Sequence, residues 1–216
     1  MKKASLLAAS SVAALGIGLL AGPVVASEPS RTTYHADLEP VNHSGGSGTF
    51  MLSVRGRTAT VTERVSGLAS TFDGQPYPHV QHIHVDAAHQ CPSPAADTSG
   101  DGVISTTEGH PFYGDIGTTL ATSGDTSPAA ATTLTTAPSG SSFVYRRTFT
   151  LDDRTLASLG NGTAVIVVHG LDPSTLPAAA QHEPSDLVPS LPLAATSPAL
   201  CGPVTGSHGG HHGARR

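Results

Sequence analysis

Apolar and polar residues alternate with a period of two in six stretches of the chain, 34–41, 49–54, 58–68, 80–85, 143–151 and 163–171. Side chains at that period point to opposite faces of an extended backbone, so each stretch predicts a β-strand rather than a helix. Thr, Val and Phe dominate them, and Gly, Pro, Ser and Asp fill the gaps. That distribution suits an all-β antiparallel sandwich or barrel better than a helical or βαβ fold. The Pro- and Ala-rich residues 173–199 predict a long irregular connection with a short helical turn over 178–187. The expected domain runs over 32–204, and 205–216 is expected to be a disordered, His-rich tail.

Composition narrows the setting. The chain opens with Lys2 and Lys3, an apolar run over 4–20 and a small-residue end at Val24, Val25 and Ala26, so 1–26 is expected to be a signal peptide and the protein secreted, with no membrane attachment after cleavage. The formal net charge is −5, and the leader holds the only two lysines, so the remaining chain is more acidic still. Nucleic acid and anionic membranes are thereby poor partners and metal ions good ones. The only two cysteines, Cys91 and Cys201, are expected to form one disulfide in an oxidising compartment. No Gly-x-Ser-x-Gly elbow is present for a serine hydrolase.

Residues 97–108, DTSGDGVISTTE, follow the template of an EF-hand calcium loop. Asp97, Ser99 and Asp101 place side-chain oxygens at positions one, three and five, and Gly102 allows the sharp turn at six. Val103 offers its carbonyl, Ser105 a water-mediated ligand, and Glu108 a bidentate carboxylate. Ile104 is expected to plug the base of the loop. Pro92 and Pro94 before it, and Gly109 and Pro111 after it, predict flanks that are not EF-hand helices, so the loop reads as a single structural calcium site inserted in a β domain.

The segment 78–86, PHVQHIHVD, places His82 and His84 two apart on a strand, so both imidazoles share one face. His169 ends the strand of TAVIVVHG, where it can approach the pair. Imidazole clusters of this kind suit copper or zinc.

With GSGTF at 46–50, SGL at 66–68, HIH at 82–84, Cys91, GDIG at 114–117, VVHG at 167–170 and LCG at 200–202 in order, the chain resembles the Cu,Zn superoxide dismutase superfamily, and more closely its bacterial relatives with a CHRD-type domain. The resemblance implies a Greek-key β-sandwich, copper on His82, His84 and His169 with His110 or His79 as a fourth ligand, and a Cys91–Cys201 disulfide. Two departures bear on activity. Between Cys91 and Leu120 only His110 and Asp115 stand where the family clusters its zinc ligands, so zinc is not expected there. The family's substrate-attracting arginine falls on Pro198, with no Arg or Lys between Arg154 and Arg215. The leading expectation is therefore a non-catalytic extracellular metal-binding domain; a copper-only superoxide dismutase and a copper sequestration or delivery protein are the alternatives.

Overall fold

A computed structural model of the protein describes residues 30–86 and 88–207. The leader expected at 1–26 and the terminal His208, His211 and His212 lie outside these residues. The strands are β1 (Arg31–Pro40), β2 (Ser47–Arg55), β3 (Thr58–Ser66), β4 (Thr71–Phe72), β5 (Gln75–Pro76), β6 (Gln81–Val85), β7 (Asp115–Thr119), β8 (Ser142–Thr150), β9 (Val165–His169), β10 (Pro198–Pro203) and β11 (Thr205–Ser207). Three helices accompany them, α1 (Thr106–Tyr113), α2 (Asp153–Asn161) and α3 (Leu193–Thr196).

All six expected strands are present, as β1, β2, β3, β6, β8 and β9. They belong to one curled antiparallel sheet in the order β7-β6-β9-β10-β1-β2-β3-β8, with β11 added along β1. The chain crosses repeatedly between one wall (β1, β2, β3, β8) and the other (β6, β7, β9, β10), in the manner of a Greek key. The inner faces of the walls meet in a sandwich-like core. Phe50, Leu52 and Val61 from the first wall and Ile83, Ile166, Val168 and Leu200 from the second belong to one buried cluster, each large side chain contributing roughly 1.5–3 kcal/mol by leaving water.

The first wall keeps the alternation of a sheet wet on one side: β3 runs exposed and buried by turns, with Ala59, Val61, Glu63 and Val65 inward. The second wall does not. Every residue of β6 and β9 is buried, because the segment between β6 and β7 lies over its outer face. There Val165, Val167 and Cys201 pack against Val41, Ala96, Ile104 and Tyr113, and the Cys91–Cys201 disulfide fastens the covering segment to β10. Ile104 sits where the plug was expected.

Two expectations are corrected and a third is narrowed. Residues 205–207 are not a disordered tail but β11, pairing with Thr33 to His35 along a part of β1 that β10 leaves free, since β10 reaches only Glu39 and Pro40. The helical turn expected within 178–187 is confined to 178–182, where the amides of Ala180 and Gln181 both donate to the Pro177 carbonyl, and it goes no further. Pro184 cannot donate to a helical ladder, and the Ser185 hydroxyl takes the amides of Leu187 and Val188 into a turn instead. The calcium-type loop is followed by a helix after all, because Ser105 and Glu108 form a reciprocal capping box that starts α1 at Thr106 and carries it past Pro111.

The two outermost strands, β7 and β8, are not joined by a backbone ladder. Side chains bridge the gap: Tyr145 and Arg147 of β8 donate to the carbonyl of Ala121 at 3.1 and 2.6 Å, and Arg147 also to that of Gly124.

Candidate metal centre

The strand register brings the three histidines together. His82 and His84 share the outer face of β6, and β9 runs antiparallel beside it with Gln81 opposite Val168. One step further, the His169 amide donates to the Val80 carbonyl at 2.9 Å, which sets His169 on the same face, diagonal to His82. One ring nitrogen of each residue lies within 4.8 Å of the others. All three are buried, at 3%, 2% and 4% exposure.

Each ring is held by one backbone carbonyl. His82 Nε2 meets Ala131 O at 3.1 Å, His84 Nδ1 meets Gly114 O at 2.8 Å, and His169 Nδ1 meets Thr196 O at 2.6 Å. A carbonyl only accepts, so these nitrogens carry the protons. The lone pairs therefore sit on His82 Nδ1, His84 Nε2 and His169 Nε2, and all three of those atoms are buried without a hydrogen-bond partner. Buried acceptors left unpaired cost about 1–3 kcal/mol each; three of them converging form a site that a metal ion would satisfy. Orientation of a ligating imidazole by a bond from its second nitrogen is the usual support for such a centre.

Burial also keeps the donors neutral. It pushes His84 down to about 3 and His169 to about 4, and it holds His82 well below the ordinary histidine range, with further lowering from His169 and His84 beside it. Neutral imidazole is the form that binds metal. The cavity at the centre measures about 40 Å³ and is walled by Val80, Ile116, Ala131 and Leu187. It has room for an ion and a water but not for an organic substrate, whose pockets span ~300 Å³ or more.

Neither expected fourth ligand joins the cluster. His110 is exposed, and its Nε2 is paired with Asp115 at 2.7 Å; it lines a separate 340 Å³ cavity that borders His84. His79 is fully buried, with Nδ1 2.9 Å from His169 O and Nε2 2.9 Å from Ala69 O; burial keeps the ring neutral, so its single N–H donates to one of these two carbonyls. It supports the backbone behind His169, and Gly170 is needed there: at φ +109°, a Cβ would stand 2.7 Å from the His79 ring. Among the described residues, Arg154 is the one arginine or lysine bordering the neighbouring cavity, and it is paired with Asp86 at 2.7 Å and Asp115 at 2.5 Å. Pro198, where the resemblance places an arginine, begins β10 opposite His169.

The loop 97–108 makes a turn held by its own carboxylates. Asp97 accepts from the amides of Gly100 and Gly102 at 2.8 and 2.9 Å, and Asp101 from that of Val103 at 2.7 Å. Gly102 adopts φ +88° and lies against Pro177, so a side chain there would be doubly penalised. Glu108 folds back to accept from the amides of Thr98 and Ser99 at 2.8 Å and from that of Ser105 at 2.9 Å, and these bonds hold its carboxyl below the usual range although partial burial acts the other way. Val103 is buried and Ser99 exposed. Among the described residues, the histidine trio is the one group of three or more His, Cys, Asp or Glu side chains whose ligand atoms all lie within 4.8 Å of each other, so Asp97, Asp101 and Glu108 do not together meet that spacing.

Sequence reasoning missed the residues that tie these regions together, Asn42, Thr106 and Thr196, which bond through and to backbone atoms and so leave no spacing motif. It also missed Glu63, fully buried in the sandwich with both carboxyl oxygens unpartnered and raised by burial to about 8. Its signal was in plain view, since it falls in phase with Ala59, Val61 and Val65. Compared with known proteins, the chain matches no family model, and no curated protein or solved structure is significantly similar to it.

Proposed function

We propose that this is a secreted, non-catalytic metal-binding β-sandwich that holds a copper ion on His82, His84 and His169. The observation that carries the reading is the set of three unpartnered, buried ring nitrogens facing one small cavity. Three imidazoles favour copper over other divalent first-row metals, since affinity for nitrogen sites peaks there. The resemblance to the CHRD and Cu,Zn superoxide dismutase-like proteins points the same way, and an exported, disulfide-bonded domain suits extracellular metal capture. Elemental analysis and copper electron paramagnetic resonance test the reading. One copper per chain with nitrogen hyperfine structure is expected, reduced to background in His84→Ala; unchanged copper content in that variant would refute it.

The surroundings support the non-catalytic reading: Arg154 is paired with two aspartates and Pro198 offers no charge, so an anionic substrate gains little electrostatic capture there. Superoxide turnover by the copper-loaded protein, lost in His84→Ala, would instead make it a copper-only dismutase, and tight copper binding that can be handed to an acceptor would make it a delivery protein.

A second reading, calcium at 97–108, is favoured by one specific observation: α1 begins at the tenth residue of the loop, under Glu108 at its twelfth. In this reading calcium draws the oxygens of Asp97, Ser99, Asp101, Val103 and Glu108 inward, with Ser105 ligating through water. A rise in melting temperature in millimolar Ca²⁺, absent in Asp97→Ala, is the expected result.

A further inference from the structure

The loop and the histidine centre are joined by helix α1. At its first residue, Thr106 Oγ1 donates to the Thr196 carbonyl at 2.5 Å, and that same oxygen accepts from His169 Nδ1 at 2.6 Å. A carbonyl has two lone pairs, so both donors are accommodated and each fixes the other's acceptor. At its far end, the carbonyl of Gly114, the capping residue, accepts from His84 Nδ1. The Tyr113 ring stands edge-on to His84 with centroids 4.6 Å apart, and its hydroxyl reaches back to the Thr106 carbonyl at 2.8 Å, closing the helix into one unit. Thr106 itself walls the histidine cavity.

The start of this helix is set by the loop. Glu108 is at once the closing residue of the loop and the second half of the capping box that begins α1. A further tie comes from Asn42, which is held at φ 54°. Its side-chain amide pairs with both backbone groups of Ile104, accepting from the amide at 2.7 Å and donating to the carbonyl at 2.9 Å, and it also donates to the Pro198 carbonyl at 3.0 Å. Pro198 lies opposite His169. Two of the three metal-facing imidazoles thus bond carbonyls that either belong to the cap of α1, Gly114, or accept from its first residue, Thr196.

We infer that α1 is the positioning element of the histidine centre and that Thr106 is its positioning residue, so that closure of the loop 97–108 on a cation strengthens transition-metal binding some distance away. The calcium arm of this inference rests on the reading of that loop as a calcium site. A coupling of this kind is reciprocal: each ion raises the affinity for the other by the same factor.

Cobalt(II) is the probe, because its visible absorption reports both binding and coordination geometry. Metal-stripped protein is titrated with Co²⁺ with and without 5 mM Ca²⁺, for the parent chain and for Thr106→Val and Thr106→Ser. Thr106→Val, which deletes the hydroxyl but leaves the Thr196 carbonyl on His169, is expected to weaken Co²⁺ binding by about 10-fold, the low end of the effect of losing a group bonded directly to a ligand, and to change the absorption band; Thr106→Ser restores both. Calcium is expected to tighten Co²⁺ binding by about 5-fold or more in the parent and in Thr106→Ser but not in Thr106→Val. Unaltered Co²⁺ affinity and spectrum in Thr106→Val would overturn the positioning role. Calcium binding, seen by equilibrium dialysis, that leaves Co²⁺ affinity unchanged would overturn the coupling. Should dialysis detect no calcium on the protein while Thr106→Val still weakens Co²⁺, the calcium reading falls and the positioning role stands. A Thr106→Val chain that does not fold shifts the test to Asn42→Ala, for which the same loss of calcium-dependent tightening is expected and its persistence counts against the coupling.

Discussion

The two candidate ion sites are built on opposite principles. At the histidine centre the donors are neutral, buried and left without hydrogen-bond partners, while their second nitrogens are fixed by carbonyls. In the loop the donors are anionic, close to water, and already bonded to the loop's own amides. The first arrangement is unsatisfied without a ligand and therefore specific to one. The second stands by itself, and an ion must compete with the amides before it adds anything. A sheet buried on both faces can supply the first kind of site, because the covering segment removes water from the imidazoles.

The contrast can be broken in four places, from large effect to small. Removing one neutral donor, as in His169→Ala, leaves two nitrogens and an enlarged cavity; loss of stoichiometric copper is expected by elemental analysis. Removing the staple that keeps the covering segment in place, as in the Cys91→Ser, Cys201→Ser pair, is expected to lower unfolding free energy by ~3–5 kcal/mol in denaturant titrations, given the 110-residue separation it closes.

The third concerns burial acting on charge. Glu63 is raised from 4.5 to about 8 in the folded state, so its contribution to stability is complete below pH 4.5 and is lost as pH rises toward 8. The histidines act in the opposite sense: with folded values near 3 and 4 for His84 and His169, they withdraw stability as pH falls below 6.5. Between pH 6.5 and 8 Glu63 acts without them, and stability is expected to fall by about 2 kcal/mol over that interval. Glu63→Gln removes the slope, which denaturant titrations at the two pH values would register. The smallest effect belongs to the loop. Glu108→Gln is expected to abolish a calcium-dependent rise in melting temperature, which for a weak site at millimolar ion is of order 1 kcal/mol, or a few degrees.

The legible parts of the molecule were those governed by period. Strand identity followed from alternation, and the placement of His82 with His84 followed from their spacing of two. The convergence of His169 needed the register of β9 against β6, which no local pattern records. Helix α2 had its own signals, with Asp152 accepting from the Thr155 amide at 2.7 Å and Gly162 left-handed at its end, yet it lies in a gap between two expected strands to which no element was assigned. The capping box at Ser105 and Glu108 was hidden in a different way: both residues also satisfy the calcium template, and one sequence pattern served two structural roles. β10 and β11 escaped notice because prolines and glycines interrupt their apolar character, and long-range pairing with β1 and β9 supplies what local propensity lacks.

The unladdered gap between β7 and β8 has its own consequence for the motions of the protein. Where every other neighbouring pair in the sheet must break a row of amide bonds to separate, these two part once the tyrosine and arginine of β8 release a pair of carbonyls. Deuterium should enter the amides along that line before it reaches the sheet interior, which makes the line the path by which solvent first visits the inside of the sandwich.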